Sequence, residues 1–352
     1  MSDDPSGHPG HRGHPRRPGH PGHAGRPARI ADVAALAGVS IGTASKALND
    51  TGQLRAETRE RVKAAAEQLG FVGDARARAL SSGRSYTVGM VTTDSFGRFT
   101  MPVLLGAEDA LSAGEVMVLV ADTRDDHVRE AHYLRSLVSR GVDGIIVTGR
   151  SANARPPIEV PVPVPVVYAL TPSTSDADVS VTLDDAAGAA AAATHVLGLG
   201  RRRVAVVTGP VTARSAELRA AGARSVLGDR MTGEPLFGDW SERWGRRAVD
   251  QLDRTHGGVD AVVCGNDQIA RGVCDRLRET GRSVPADVAV TGYDDWDVVA
   301  LASRPPLTTV DMRLDELGRI AGRSLLELVA GGRPASTAVT PTLVVRESTA
   351  GA

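Results

Sequence analysis

Four side chains spread along the chain carry the groups that a hydroxylated small molecule requires. Asp294 can accept hydrogen bonds, Asn266 can accept and donate, Arg219 can donate, and Trp240 offers an aromatic wall. Asn266 and Asp294 follow the apolar runs AVVC and VAVT, where buried strands end and present such groups. Asp267 and Asp295 stand next to them and suit helix caps. Trp244 reads as packing rather than contact. A second set lies near the N-terminus: Ile41 can touch a thymine methyl, Lys46 can reach guanine O6 and N7, and Ser45 lies beside them. No Walker loop, G-x-S-x-G, HExxH or paired His/Cys cluster is present, and the acidic strand ends lack a nucleophile or metal set to work with. The expectation is a binding protein, not an enzyme, with no cofactor.

The elements that would hold Lys46 and its neighbours are three short helices. Ile30, Val33, Ala34 and Ala37 recur at helical spacing, and Gly38 supplies the break. Ser40 suits the N-cap of a second helix, Ile41–Asn49. Two helices joined by a glycine turn form a helix-turn-helix, whose second helix fits a major groove. A third helix, Ala56–Leu69, closes the small core with Val62, Ala65, Ala66 and Leu69 before Gly70 ends it. Ala75–Leu80 spans one and a half turns, too short to be a stable helix in water.

The elements that would hold the polar strand ends begin at Tyr86. Strands in YTVGMVT, EVMVLVA, DGIIVT and PVPVVYA alternate with helices at Val103–Ala113 and Val128–Arg140. A second series has strands in RVAVVTG, DAVVCG and DVAVTGYD, with helices at Ala186–Leu199, Ser215–Leu227, Arg243–Arg254 and Gln268–Glu279. A last helix, Leu314–Ala330, and a strand near Pro341–Arg346 finish the chain. Such alternation predicts parallel sheets covered on both faces, in two subdomains.

Composition is that of an ordinary globular protein, 41% hydrophobic and 24% charged, but aromatics are only 3%, so Ala, Val and Leu must fill the core. No apolar run approaches the roughly 20 residues of a membrane span. The polar N-terminus has no signal-peptide core, and Cys264 and Cys274 make no metal or disulfide framework, so a cytoplasmic location is expected. Residues 1–84 hold 13 Lys and Arg against 8 Asp and Glu, whereas the remainder holds 28 against 34. A basic head on an acidic body suits contact with DNA by the head. Residues 1–28 are rich in Gly, Pro, His and Arg and read as a solvated basic tail; their five histidines offer a metal no fixed geometry.

DVAALAGVSIGTASKALN, TRERV and DARARALSSG, in that order, resemble the head of the lactose-repressor/galactose-repressor (LacI/GalR) family of transcription regulators. SAELRAAG, CGNDQIARG and VTGYDD resemble its effector-binding segments, and the alternating core is similar to the periplasmic-binding-protein type I fold. The fold class is therefore an all-α helix-turn-helix head plus an α/β core of two doubly wound parallel-sheet subdomains. The expected boundaries are a tail at 1–28, the head at 29–72, a hinge at 73–84 and an effector domain at 85–352. Within that domain the first subdomain takes about 85–185 and 311–333, and the second about 186–310 and 334–352.

By resemblance, Arg219, Asn266 and Asp294 bind the effector, with Trp240 on the wall; Phe99, which follows the departing Gly97-Arg98, is expected to join them. Thr43 contacts phosphate, Arg29, Ser40 and Asn49 complete the DNA set, and Ala75–Leu80 is a hinge helix ordered on operator DNA. There Arg76 and Arg78 suit phosphates or a narrow groove, and Leu80 is the wedge between base steps. Departures from the family pattern are also present. Gly97-Arg98 replaces an Asn-Pro, Ala169 an acidic residue, and Met312 a polar one, so the first subdomain's side of the cleft is unlike familiar sugar sites. Arg29 and Arg55 replace capping Ser or Thr, and Gly42 replaces a base-reading side chain. The implied function is a homodimeric transcriptional repressor, cytoplasmic and nucleoid-associated, that binds a palindromic operator and a carbohydrate effector. The alternative is a solute-binding protein of the same core fold.

Overall fold

A computed structural model of the chain describes residues 28–49, 52–71, 84–111 and 116–350. It divides into two compact units, Met1–Gly83 and Arg84–Ala352. The expected hinge, with Arg76, Arg78 and Leu80, lies outside the described residues, as do most of the basic tail and the last part of the helix expected to reach Ala113.

The first unit contains α1 (Ile30–Ala37), α2 (Ile41–Leu48) and α3 (Ala56–Gln68). Their apolar faces meet in one cluster of Val33, Ala34, Ala37, Ala44, Ala47, Val62, Ala65 and Ala66. Gly38 takes φ +65°, the left-handed conformation that ends α1 and aims the chain into α2. The Ser40 hydroxyl accepts from the Thr43 N–H at 3.1 Å, capping α2. The Arg29 side chain does not cap α1. Asp32 partly replaces it, reaching back to accept from the Arg29 N–H at 2.8 Å.

The second unit holds two parallel sheets. Six strands make the first: β1 (Thr87–Thr92), β2 (Met117–Asp122), β3 (Gly144–Thr148), β4 (Val166–Ala169), β5 (Val179–Leu183) and β11 (Thr337–Val339), in the order β11-β5-β4-β3-β1-β2. The second sheet has β6 (Val204–Thr208), β7 (Leu236–Phe237), β8 (Ala261–Cys264) and β9 (Ala289–Thr291), in the order β7-β6-β8-β9. A short antiparallel pair, β10 (Thr309–Asp311) with β12 (Thr342–Val344), accompanies the return of the chain. The central strands β3, β6 and β8 are buried along their whole length, as strands covered on both faces must be.

One boundary differs from the sequence reading. Residues 334–340 belong to the first subdomain, because β11 pairs in parallel with β5 (Thr337↔Val181, Val339↔Leu183). Only the stretch from about Pro341 onward belongs to the second, where Ser348 bonds to the Val290 carbonyl and to the Thr308 N–H.

With so few aromatics, helices approach one another closely through glycine. A Cβ on Gly106 of the Thr100–Ala110 helix would lie 1.8 Å from the Asp315 carbonyl oxygen, and one on Gly318 of the Leu314–Val329 helix would lie 2.1 Å from that of Val103. The two backbones touch where a methyl group has no room. Gly106→Ala should therefore destabilise the second unit by about 1–3 kcal/mol. Chemical denaturation of the full chain checks this, and an unchanged unfolding midpoint would contradict the close approach.

Candidate functional site

The face that α2 turns to solvent carries the DNA-reading candidates. Ala44 and Ala47 are buried, so the opposite side of the helix is free. Ile41 is 55% exposed; Gly42, Lys46 and Asn49 are exposed, and Thr43 and Ser45 are half-buried. The Thr43 hydroxyl is 2.9 Å from that of Ser40, and the Asn49 amide donates to the Ser45 hydroxyl at 3.4 Å. The Lys46 stem runs beside Gly52, where a Cβ would meet its Cδ at 3.3 Å. Arg29 is exposed at the start of α1.

All five effector candidates, Phe99, Arg219, Trp240, Asn266 and Asp294, line one cavity of about 360 Å³ within the second unit. Each is placed by a strand end or by the start of the helix that follows. Arg219 projects from the Arg214–Leu227 helix and is 7% exposed. Its Nε donates to Asp185 at 2.7 Å, and its Nη1 donates to the Gly265 carbonyl at 2.6 Å and to Asp294 at 3.3 Å. Its guanidinium carbon sits 3.6 Å from the centre of the Tyr293 ring and 5.8 Å from that of Trp240. Burial alone would pull the pKa of this group down, but the charges of Asp185 and Asp294 outweigh it and keep the pKa above its ordinary range. Trp240 rests on bare backbone: a Cβ on Gly209 would fall 2.2 Å from the indole.

Asn266 is the N-cap of the Asp267–Glu279 helix, its Oδ1 accepting from the Ile269 N–H at 2.8 Å. The capping role expected of Asp267 thus belongs to its neighbour. Asp267 is instead fully buried behind the cavity, accepting from the Thr309 hydroxyl at 2.5 Å and the Trp296 N–H at 2.8 Å. Asp295 caps nothing either, and pairs with Arg346 at 2.7 Å. Asp294 is held at φ +105° and Asp295 at +49°, strained conformations for residues with a side chain. Trp244 packs as expected, its indole N–H donating to the Thr208 carbonyl at 2.9 Å. Both cysteines are buried free thiols, and among the described residues no His, Cys, Asp and Glu cluster could hold a metal.

The structure adds residues that the sequence did not single out. Arg98 ion-pairs with Asp294 across the cleft between the two sheets, and its guanidinium lies 4.9 Å from the Phe99 ring centre and 4.2 Å from that of Trp296. Asp94 fixes that loop, accepting from the N–H groups of Phe99 (2.8 Å) and Thr100 (3.0 Å). Asn153 makes a second crossing: its side-chain amide donates to the Thr212 carbonyl at 3.1 Å and its Oδ1 accepts from the Arg214 N–H at 2.7 Å. Asp185, Arg150, Leu170 and Met312 also line the cavity. The only earlier signals were that Gly97-Arg98 and Met312 depart from the family pattern.

Comparison with known proteins identifies the family. The profile of the lacI family of bacterial regulatory proteins matches residues 29–74, and that of a periplasmic binding protein-like domain matches residues 193–349. The ribose operon repressor of Escherichia coli (strain K12) is 30% identical over 292 residues, covering 81% of this chain and 88% of its own. A solved complex of the transcriptional regulator CelR with cellobiose is 30% identical, with a TM-score of 0.62, over 91% of this chain and 99% of that one. The lac repressor dimer bound to operator and the anti-inducer ONPF is 26% identical, with a TM-score of 0.70, over 92% and 99%.

Burial, with the nearby Asp294 charge, pushes the Asp267 carboxyl up to about 8. In the unfolded chain it ionises near its ordinary value, about 4. Between these values the folded state holds a proton that the unfolded state has lost. The resulting stabilisation is complete below about pH 4 and is lost as pH rises through about 8. Asp267→Asn, which keeps the shape without the charge, should therefore flatten the fall in thermal midpoint between roughly pH 5 and pH 8. Parallel pH profiles for the two proteins would show that Asp267 is ionised throughout.

Proposed function

Because the chain belongs to the lacI family of bacterial regulatory proteins, we propose that it acts as a homodimeric repressor on a palindromic operator and is controlled by a carbohydrate or related metabolite in its cavity. It is a sequence-specific DNA-binding transcriptional regulator, with a helix-turn-helix head and a periplasmic-binding-protein-like domain. One observation carries the reading: a single chain joins an outward, side-chain-bearing α2 to a cavity lined by Arg219, Asn266, Asp294, Trp240 and Phe99. A solute-binding protein would have no use for the first of these. Support for a sugar effector comes from the CelR–cellobiose complex, and support for a dimer on operator from the lac repressor complex. No described helix is long and apolar enough to cross a membrane; we place the protein in the cytoplasm, on the nucleoid when bound to DNA.

In this reading Ile41, Ser45 and Lys46 read bases, while Arg29, Ser40, Thr43 and Asn49 position the head on phosphates. Arg76, Arg78 and Leu80 act in the hinge. Effector binding and operator binding are then linked by one coupling free energy. A gel shift on the DNA upstream of the protein's own gene, with and without candidate sugars, tests the whole proposal. Retarded DNA that no sugar releases or tightens would remove the sugar effector, and DNA that is never retarded would remove the operator assignment.

Two substitutions separate the roles. Lys46→Ala should lose about 1–3 kcal/mol of discrimination between operator and random DNA, since a base contact is at stake. Equal losses on both DNAs would make Lys46 a phosphate contact instead. Leu80→Ala should weaken operator binding through loss of the apolar wedge while leaving thermal stability and effector affinity unchanged. Undiminished operator affinity would exclude the wedge.

A further inference from the structure

The polar groups of the cavity are unequally matched. Asp294, Asp185 and Asn266 already accept from the protein's own donors. Asp294 Oδ2 takes a hydrogen bond from Arg98 and its Oδ1 takes one from Arg219; Asp185 Oδ1 accepts from Arg219 Nε, and Asn266 Oδ1 from the Ile269 N–H. The cavity's donors are largely free. Among the described residues Arg98 makes one hydrogen bond, through Nη2, which leaves Nε and Nη1 without an acceptor in a side chain only 17% exposed. Arg219 Nη2 and Asn266 Nδ2 likewise have no acceptor among the described residues. None of these four atoms is sealed from solvent, and all three residues line the cavity. Arg150 joins them just beyond the end of β3, exposed and with no carboxylate within 4 Å among the described residues.

A neutral sugar fits this arrangement poorly. Each hydroxyl brings a proton that needs an acceptor, and the carboxylates and the amide on the lining already share theirs with the protein's own donors. An oxyanion brings acceptors only and matches guanidinium donors with charge-assisted bonds. The charges agree, with Arg98, Arg150 and Arg219 facing Asp185 and Asp294 on the lining. Arg98 is also preorganised, because Phe99 and Trp296 flank its guanidinium.

We propose that the effector carries a carboxylate or phosphate on a carbohydrate-like body, and that Arg98 and Arg150 hold this oxyanion. The body lies against Trp240 within reach of Asn266. This narrows the effector reading above from sugars in general to acidic ones, and it rests on that reading.

Thermal denaturation and calorimetry of the full-length protein at constant ionic strength test it. The probes are inorganic phosphate against chloride, glucose against gluconate, glucuronate and glucose 6-phosphate, and galactose against galactonate and galacturonate. We expect phosphate to raise the unfolding midpoint, and at least one acidic sugar to bind about tenfold or more tightly than its neutral parent. Arg150→Gln, at an exposed position on which folding does not depend, should erase both effects, and so should Arg98→Gln. The carboxylated and phosphorylated arms distinguish the two sources of the oxyanion. Neutral parents that bind as tightly as the acids, or an acid preference that survives both substitutions, would overturn the oxyanion while leaving a sugar effector in place. Phosphate binding without any sugar binding would support the oxyanion and remove the carbohydrate body. No response to phosphate or to any sugar would overturn both readings.

Discussion

A guanidinium buried in the second unit must be paired, and the pairing of Arg219 fixes the geometry of everything around it. Taking that charge out of water costs several kcal/mol unless partners surround it. Here they come from separate elements: Asp185 opens the Asp185–Gly198 helix, Gly265 follows β8, and Asp294 follows β9. Tyr293 covers one face of the group. The strand ends that form the cavity floor are thus tied to one side chain. Asp294 can be held at φ +105° because the surrounding bonds over-determine it. The groups that a ligand would touch are also the groups that hold the second subdomain together, so a ligand that re-partners them acts directly on the packing of the domain.

The two subdomains meet across the cleft through charge and hydrogen bonds made by the chain itself. Arg98 reaches Asp294, and Asn153 reaches the backbone of Thr212 and Arg214. Both crossings are polar and lie near the cavity, whereas the apolar core runs beneath them. The exposed Asn153 bonds contribute little net free energy, whereas the Arg98–Asp294 pair is mostly buried and leaving one partner alone is costly. They help set the relative position of the two halves, over an apolar core that draws residues from both. A ligand can shift such an equilibrium only by binding its states unequally, and in the proposed reading Arg98 and Asp294 are where that inequality arises. A ligand that takes donors from Arg98 competes with Asp294 for them, or else bridges the pair and strengthens it.

Much of this was legible in the sequence because it is local. Helical periodicity and Gly38 defined the head, and apolar runs followed by polar residues marked Asn266 and Asp294. What escaped was non-local. Arg98 lies 196 residues from Asp294, and nothing near GRF identifies its partner; it registered only as a departure from a pattern. Asp185 was not singled out, because it stands just before the expected Ala186–Leu199 helix, where carboxylates are common. At Asn266-Asp267 the cap fell to the first residue and not the second, since either residue type can cap and only the fold shows which one turns inward. Strand β11 was unreadable because Thr337 and Ala338 are exposed and only Val339 is buried. Such an edge strand owes its place to hydrogen bonding with β5 rather than to an apolar pattern.

The head applies the same economy to a smaller core. An eight-residue helix containing Gly42 is not stable alone in water. Ala44 and Ala47 hold α2 against its neighbours, Ser40 satisfies an N–H of its first turn, and Arg61 satisfies the Ala37 carbonyl at the end of α1 with a bond of 2.9 Å. None of these groups requires Ile41, Ser45 or Lys46, so the face proposed to read DNA carries few folding duties. The cavity is arranged the opposite way, with Arg219 and Asp294 in the scaffold. If the proposed roles hold, operator preference can change by substitution on α2 at little structural cost, whereas a change of effector must come from residues around the fixed floor, among them Arg98, Arg150 and Phe99.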